Sequence, residues 1–360
     1  MSLSFDIIYR RYKKMYDPMY TISVCKKDEI EDVLRFIDEY WRKGHAIVRS
    51  KELLDWQYFN KSTNTYNFVI ARSKETGEIH AIEGFIPTTQ FDNSIKDAMT
   101  WGAIWKSIPD VAPPGLGFVV KQYREDVFGT KYNCEIGVSS DAQKYNKQFG
   151  NTIFKLENWY LINKNISEFR LAEVNSITHK DKAVLNNGIG FRIINAEEWY
   201  TESKGLDIPE YKSATYYVNR YFNHPIYKYQ ALVLQNNETG QKEVIFFRVV
   251  SHLDSRCIFF VDYIGGGCIL SKSSTIIRNL LNDYKAEYVL FPCYGVNEEC
   301  LEKAGFVCTR NTSDIIPIYY EPFLKQNIEI VCASKASVVS WNLFKGDSDQ
   351  DRPNIIQEMK

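Results

Sequence analysis

The chain has no apolar run long enough to cross a membrane, and it carries almost no net charge. None of its apolar stretches approaches the ~20 residues that a transmembrane helix requires. Arg10, Arg11, Lys13 and Lys14 interrupt the first apolar stretch, so no signal peptide is expected. The formal net charge of −1 argues against a broad nucleic-acid-binding surface, and any phosphate site must be local. We therefore expect a cytoplasmic protein whose partners include neither a membrane nor a nucleic acid.

Signatures of metal binding and of covalent catalysis are also missing. The five histidines show no ligand spacing, none of the eight cysteines forms C-x-x-C, and there is no G-x-S-x-G motif. Several cysteines lie in apolar runs such as 257–261, which is typical of buried free thiols in a reducing compartment. Asp347, Asp349 and Asp351 resemble a calcium loop, but Arg352 stands where that loop needs a glycine. We therefore expect no metal and no covalent intermediate.

Aromatic residues, by contrast, are abundant at 14% of the chain, chiefly as 24 Tyr and 21 Phe. Apolar residues make up 44% and charged residues 25%, which is ordinary for a globular protein. The length of 360 residues suggests two domains of ~150 residues or more. Strand and helix patterns alternate along the chain, which predicts an α/β fold with mixed sheets.

A central stretch, 97–163, organises the rest of the chain. Gly115 and Gly117 lie in a proline-glycine turn between a predicted strand and a predicted helix. Glycines in such a turn let the backbone approach a ligand, and the helix start offers unpaired N–H groups to an anion. A tight loop without a ligand would explain the same two glycines. The predicted elements are, in order, a strand at 98–106, the turn at 113–117, a helix at 118–126, a strand at 132–138, a helix at 142–149 and a strand at 154–162.

Downstream of the turn, Ala142-x-x-Tyr145-x-x-x-Phe149-Gly150 lies between two predicted strands. In order and spacing, this block resembles the coenzyme A-binding core of the GNAT N-acyltransferases. The resemblance implies that Gly115, Leu116 and Gly117 hold the pyrophosphate of an acyl-CoA and that Tyr145 protonates the leaving thiolate. The family usually has Gln or Arg three residues before the first glycine, whereas this chain has the run 112–114, Ala-Pro-Pro. Backbone N–H groups alone would then bind the phosphates.

The strand at 98–106 would present backbone N–H to the thioester oxygen. Trp101 and Trp105 fall on one face of it by the period of two and are candidate cofactor contacts, and Gly102 permits a bulge. A predicted strand at 20–25, helices at 27–43 and 51–59 and a hairpin at 66–87 precede it, as in the front half of the GNAT fold. The apolar stripe of the first helix, which ends with Ile37 and Trp41, is expected in the core.

An internal repeat extends the resemblance to the second half. A shift of 163 residues aligns 58–77 with 221–240, with seven identities in twenty positions and no gap. This predicts two tandem GNAT-like lobes. The N-terminal lobe, 1–163, would bind acyl-CoA. A linker, 164–190, would lead to a degenerate lobe, 191–360, with an acceptor-binding tail.

The tail 344–354 is distinctive, and its part 347–354 is too polar to be expected in a core. It resembles the ending of double-GNAT proteins from bacterial surface-polysaccharide (O-antigen and capsule) clusters, which acylate amino groups of nucleotide-linked sugars. The resemblance implies an N-acyltransferase that moves an acyl group from acyl-CoA to a dTDP- or UDP-linked amino sugar by direct attack. The tail would close over the acceptor between the lobes. Candidate bases are His45, Glu83, Asp349 and Asp351, and candidate acceptor contacts are Arg49, Trp56, Arg352 and Asn354.

Two alternatives stay open. One is a transferase of the peptidoglycan-bridge type that uses aminoacyl-tRNA, against which the near-neutral charge and the glycine turn argue. The other is a non-catalytic protein that keeps the GNAT-like fold for binding, which the absence of basic residues from the turn favours.

Overall fold

The strand and helix patterns of the sequence fold into two units, each with parallel and antiparallel strand pairs. The computed structural model describes residues 5–175, 188–335 and 341–353. The first unit comprises Met1–Thr152, Ala333–Ala336 and Pro353–Lys360, and the second comprises Ile153–Cys332 and Ser337–Arg352. The predicted α/β class with mixed sheets is confirmed.

In the first unit, antiparallel strands run in the order β1-β3-β4-β5, β2 pairs with β3, and β6 joins β5 in parallel. The 19 N-terminal residues, for which the sequence predicts no element, contain a helix. The strands are β1 (Tyr20–Lys26), β2 (Phe59–Asn60), β3 (Thr65–Ser73), β4 (Ile79–Pro87), β5 (Met99–Ser107) and β6 (Tyr132–Ile136). The helices are α1 (Phe5–Tyr16), α2 (Ile30–Phe36), α3 (Ala46–Arg49), α4 (Lys51–Tyr58), α5 (Leu116–Phe128) and α6 (Ser140–Gln148).

The core beside α5 is built from the inward side of β3 and β4. Val69, Ala81 and Phe85 lie there with Leu116 and Val120, all below 1% exposure. Burying these side chains stabilises each by about 1.5–3 kcal/mol relative to exposure, the smaller alanine by less. This core holds the start of α5 against the end of β5.

The helix predicted at 27–43 changes its winding along its length. A 3₁₀ turn, Lys27–Glu29, leads into α2, and a π turn, Ile37–Trp41, follows it. The amide of Arg42 donates to the carbonyl of Ile37 at 2.8 Å, five residues back. The wider turn rotates Trp41 off the apolar stripe, so Ile37 is fully buried while Trp41 is 40% exposed. The expectation that Trp41 lies in the core is wrong.

Strand β5 contains the bulge that Gly102 permits. Phe85 pairs with Gly102 but Gly84 pairs with Ile104, which leaves Ala103 as an extra residue in β5. Because one extra residue inverts the alternation of side chains, Trp101 and Trp105 point to opposite faces of the sheet. The prediction that they share one face is therefore wrong.

In the second unit, the strands run in the order β7-β12-β11-β10-β9-β8, and β11 and β12 are parallel. The main strands are β7 (Thr152–Ile162), β8 (Ile189–Ile194), β9 (Gln230–Asn236), β10 (Lys242–His252), β11 (Ser255–Ile264) and β12 (Tyr288–Tyr294). The short strands are β13 (Val307–Cys308), β14 (Tyr319–Tyr320), β15 (Phe323–Leu324), β16 (Ile330–Ser334), which spans the unit boundary, and β17 (Leu343–Phe344). The helices are α7 (Ala196–Glu202), α8 (Ala214–Tyr217), α9 (Ser274–Asp283) and α10 (Glu298–Lys303).

The two segments of the internal repeat have the same local structure. In each, a helical turn ends, a strand follows, and a hairpin turn comes next, with its glycine at positive φ: 75° at Gly77 and 72° at Gly240. Strand β7, counted with the first lobe in the sequence analysis, pairs with β12 and lies almost wholly in the second unit. The lobe boundaries at 163 and 190 stay a prediction.

Candidate functional site

The candidate site lies where β5 and β6 separate. Their parallel pairing begins at Met99 with Tyr132 and ends at Gly102 with Glu135, after which β5 continues to Ser107. Beyond this divergence is a space of about 400 Å³. Its lining comes from the end of β5, the turn before α5 and the start of α6, namely Trp105–Asp110, Ala112–Gly115, Gly117, Phe118, Ser139, Asp141, Ala142 and Tyr145, together with Trp41.

The turn before α5 lines this space and includes two backbone N–H groups that the described chain leaves without an acceptor. Leu116 and Val119 donate their amides to the carbonyls of Pro113 and Gly115. Within the described residues, no acceptor lies within hydrogen-bond reach of the amides of Gly117 and Phe118. Tyr16 donates its hydroxyl hydrogen to the carbonyl of Pro114 at 2.5 Å, which fixes the turn from outside. A helix start with free amides and the positive end of its dipole is suited to an anion.

The two glycines of the turn are also required by packing within the chain. Gly115 has φ of +87°, and a Cβ atom there would lie 2.9 Å from the ring of Tyr12. A Cβ atom at Gly117 would lie 2.7 Å from Ser107 Oγ. The tight fit of the turn against its neighbours thus accounts for both glycines, and the free amides are the separate reason to expect a ligand.

Lys106 supplies a cation that the sequence analysis missed. It lines the space, and no carboxylate of the described residues forms an ion pair with it. The resemblance to the GNAT N-acyltransferases predicts a basic residue just before the first glycine, but this chain has Ala112-Pro113-Pro114 there. Lys106 could have been predicted from its position, because a basic side chain near the end of the strand before a glycine turn can lie close to an anion bound there.

Tyr145 stands at the opposite wall, in a row of aromatic rings. Its ring meets Trp105 edge-on at 5.6 Å and stacks on Phe149 at 6.3 Å, and Phe149 stacks on Phe118 at 4.6 Å. Tyr145 is 46% exposed, and its hydroxyl has no hydrogen-bond partner in the described part of the chain. The hydroxyl is therefore free to bond a ligand. Trp105 also donates its indole N–H to the carbonyl of Gly117 at 2.9 Å, which ties β5 to the turn.

A buried ion pair forms the floor beneath the divergence. Lys121 pairs with Glu135, and its ammonium lies 4.9 Å from the ring centre of Trp105. Asn146, next to Tyr145 on α6, donates to the second oxygen of Glu135 at 2.8 Å. Burial lowers the pKa of Lys121 to about 8, although the nearby Glu83 opposes the shift. This network joins α5, β6 and α6 and thereby positions Trp105 and Tyr145.

Four of the candidate residues, Gly115, Gly117, Trp105 and Tyr145, line one space, and their roles stay a prediction. Leu116 contributes its backbone to the turn while its side chain is buried in the core. Trp101 is fully buried and does not line the space.

Four further candidates of the first unit lie outside this lining. His45 is buried and caps α3, its Nδ1 accepting from the amide of Ile47 at 3.3 Å. Glu83 is buried and accepts from Arg124 Nε at 3.0 Å; burial raises the pKa of Glu83, against the pull of Arg124. Arg49 is exposed at the end of α3, and Trp56 packs on Phe91 at 5.1 Å. Their proposed roles stay predictions.

The judgement that the tail is too polar for a core is wrong. Asp347, Asp349 and Asp351 are 0%, 4% and 1% exposed, because cations of the second unit neutralise most of their charge. Arg248 donates two hydrogen bonds of 2.8 Å to Asp351, and Lys345 donates a third at 2.7 Å. Burial raises the pKa of Asp351, but these two cations outweigh it and hold the pKa well below its usual value.

The rest of the tail is bound as firmly. Lys212, itself buried, pairs with Asp347 at 2.9 Å and with Asp262 at 2.7 Å. Arg220 donates to the backbone carbonyls of residues 346 and 348. Arg352 pairs with Asp349 at 3.1 Å. Asn354, the other predicted contact, lies outside the described residues, and the acceptor-binding role of the tail stays a prediction.

The second unit has its own glycine turn, 265–267, and the side-chain carboxylate of Glu243 lies against it. Glu243 accepts from the hydroxyl of Tyr263 at 2.6 Å and from the amide of Leu270 at 2.8 Å, and that hydroxyl accepts from the amide of Gly267 at 2.8 Å. A Cβ atom at Gly265 would lie 2.6 Å from Glu243 Cγ. The Glu243 carboxylate of the chain itself therefore occupies this turn. No side-chain carboxylate is bound in this way at the turn before α5, within the described residues.

All eight cysteines are free thiols, and six of them are buried. Within the described ranges, no group of three or more His, Cys, Asp or Glu side chains is arranged to hold a metal. None of the helices built from those residues combines the length and the apolar character needed to cross a membrane.

Comparisons with known proteins support the fold. No family model matches the chain, and no curated protein matches it. Among solved structures, a probable N-acyltransferase from Enterococcus faecalis is similar at a TM-score of 0.53 and 8% identity, over 87% of this chain and 71% of that one. A GCN5-related N-acetyltransferase from Anabaena variabilis is similar at a TM-score of 0.50 and 8% identity, over 87% and 72%.

A GCN5-related N-acetyltransferase from Kribbella flavida gives a TM-score of 0.45 and 10% identity over 75% of this chain. This chain spans 63% of that protein's length. At such identities the likeness concerns the fold alone. The predicted GNAT fold is confirmed by the Enterococcus faecalis and Anabaena variabilis structures.

Proposed function

We propose that this protein is an acyl-CoA-dependent N-acyltransferase whose donor site is the space between β5 and β6. One observation carries the proposal: the turn before α5, the part of β5 beyond the end of its pairing with β6, and Tyr145 all line the same space. The amides of Gly117 and Phe118 would bind the pyrophosphate of the donor, and Lys106 would add a cation for its phosphates. The pantetheine arm would then follow β5 toward the divergence.

In the proposed reaction, a neutral amine attacks the thioester carbonyl directly. The new C–N bond forms, the C–S bond breaks, and the thiolate takes a proton from Tyr145, which is restored by the proton that the amine releases. The bulge at Ala103 leaves a backbone N–H outside the regular ladder of β5, where it can polarise the thioester oxygen. Of these groups, Tyr145 lines the space.

We further propose that the acceptor is the amino group of a nucleotide-linked sugar. The support is the resemblance of the tail 344–354 to the double-GNAT proteins of surface-polysaccharide clusters. The tail aspartates already engage cations of the second unit, so a role in deprotonating the amine would have to compete with those pairs. The cytoplasmic location inferred from the free cysteines stays a prediction.

Calorimetry with coenzyme A and a thiol-release assay with acetyl-CoA test the proposal. Wild-type protein should bind coenzyme A, and Lys106→Gln should weaken binding roughly fivefold, or about 1 kcal/mol, by removing a partly screened charge. Lys303→Gln, which removes an exposed lysine on α10, is the matched control and should leave affinity unchanged. Thiol release should require a dTDP- or UDP-linked amino sugar.

Other outcomes would favour the alternatives. Binding of coenzyme A without thiol release for any amine would indicate a non-catalytic binding protein. Acyl transfer that requires aminoacyl-tRNA and ignores coenzyme A would indicate the peptidoglycan-bridge type of reaction. Absence of coenzyme A binding in the wild-type chain would overturn the proposal.

A further inference from the structure

Trp41 presents an aromatic surface that the core of the first unit does not use. The π turn carries it out of the apolar stripe of α2, and its ring stacks on no other ring among the described residues. With 40% exposure, the indole leaves part of its surface open to a ligand. Trp41 lines the same space as Lys106 and the turn before α5. π turns of this kind are frequent at functional sites.

Trp41 lies beside the far end of β5, because its neighbour Tyr40 borders one surface hollow together with Ile108. From Gly102 to Ser107, five residues at about 3.3 Å each span roughly 16 Å. Ile108, Pro109 and Asp110, which continue the strand, line the space together with Trp41. The phosphate-binding turn follows directly at 113–118. Trp41 therefore lies near the end of β5, on the side of the proposed phosphate site, whereas Glu135 of the buried pair Lys121–Glu135 lies opposite Gly102, where the parallel pairing ends.

In an acyl-CoA bound as proposed, the adenosine moiety extends from the phosphates toward this end of β5. Adenine is planar, and an indole face can stack on it with the strength usual for base–aromatic stacking. A donor that carries only phosphopantetheine, such as an acyl carrier protein, has no ring to place there. The surface of Trp41 thus distinguishes the two classes of acyl donor.

We infer that Trp41 stacks on the adenine ring of coenzyme A and thereby selects nucleotide-bearing donors over phosphopantetheine-bearing ones. This inference rests on the proposed function, since it assumes that the turn before α5 holds the donor phosphates. It assigns Trp41 a role in specificity; the residue does not touch the reacting atoms.

The test compares two ligands, coenzyme A and free 4′-phosphopantetheine, by calorimetry. Trp41→Ala should weaken coenzyme A binding about tenfold or more, within the range for loss of one stacked base, and change phosphopantetheine binding less than about twofold. Trp41→Phe should restore most of the affinity, because it keeps an aromatic face. Tyr40→Ala, at the neighbouring and equally exposed residue, is the control and should change neither affinity.

The possible results distinguish failure of the role of Trp41 from failure of the proposed coenzyme A binding. Equal weakening of both ligands by Trp41→Ala, or no weakening of coenzyme A, overturns the role of Trp41 while coenzyme A binding by the wild-type chain still stands. Failure of the wild-type chain to bind either ligand overturns the proposed function and the inference with it. A melting curve of Trp41→Ala that matches wild type shows that the variant is folded.

Discussion

At the residue scale, Tyr145 is held by packing and leaves its hydroxyl free. Its ring is fixed between Trp105 and Phe149, and the residue beside it, Asn146, is anchored to Glu135. A proton donor must be held in place yet keep its O–H available. Tyr145 meets both conditions. Removal of the hydroxyl should therefore affect the reaction without affecting the fold.

We predict that Tyr145→Phe lowers turnover by roughly 10²-fold, the loss expected for a general acid, with unchanged affinity for coenzyme A. Steady-state thiol release gives the turnover, and calorimetry gives the affinity. Tyr200→Phe, at a similarly exposed tyrosine of the second unit, is the control and should behave as wild type. Turnover of Tyr145→Phe at the wild-type rate would reduce Tyr145 to a packing role.

Local order along the chain was enough to predict that four residues lie near one another; their roles stay a prediction. Gly115 and Gly117 follow from turn chemistry, and Trp105 and Tyr145 follow from their positions on a strand and a helix near that turn. Trp101 was misplaced because one extra residue in β5 reverses the side chains after it. Trp41 was missed because an α-helical period places it beside Ile37. Neither a bulge nor a π turn is visible in the apolar pattern from which strands and helices are predicted.

At the element scale, the two glycine turns differ in what occupies their amides. In the first unit, the amides of Gly117 and Phe118 have no acceptor among the described residues, and both residues line the candidate space. In the second, the chain of contacts from Gly267 through Tyr263 to Glu243 closes the turn, and Glu243 is only 4% exposed. A pyrophosphate entering there would meet a carboxylate instead of free N–H groups. Under the proposed function, we therefore expect the second turn to be structural and the donor to bind only in the first unit.

We predict a stoichiometry of one coenzyme A per chain by calorimetry. Gly117→Asp should reduce this affinity by tenfold or more, since its side chain would displace Ser107 and place a like charge beside the pyrophosphate. Glu243→Gln should leave the affinity unchanged but lower the free energy of unfolding by about 1.5–3 kcal/mol, by weakening a charged hydrogen bond. Two equivalents per chain, or full binding by Gly117→Asp, would contradict the assignment of the donor site to the first unit.

At the scale of the whole molecule, the chain combines locally predictable elements with contacts that no local pattern reveals. The hairpin of β3 and β4 and the helices α4 and α10 follow from apolar periodicity and capping residues such as Ser50. The burial of the tail does not, since its neutralising partners, Arg248 and Lys212, lie more than a hundred residues away. Without knowledge of those partners, three alternating aspartates are expected to lie in solvent. Residues 344–352 thus belong to the second unit, where the three aspartates are buried.

The last prediction decides whether Asp351 stabilises the second unit or serves the reaction. Asp351→Asn should lower the free energy of unfolding by about 3–5 kcal/mol, because Arg248 and Lys345 are then buried without their shared carboxylate. Urea unfolding of the intact chain measures this. Asp141→Asn, at an aspartate whose side chain is 85% exposed, is the control and should change it by less than about 0.5 kcal/mol.

The pH dependence of the free energy of unfolding, measured for wild type and Asp351→Asn, gives an independent check. Because the folded pKa of Asp351 lies below its unfolded value of about 3.9, its stabilising effect is complete above that pH and is lost as the pH falls below it. Wild-type protein should therefore lose stability below about pH 4 more steeply than Asp351→Asn. If Asp351→Asn instead unfolds like wild type at every pH and yet no longer transfers an acyl group, then the carboxylate acts on the acceptor amine, as the tail hypothesis requires.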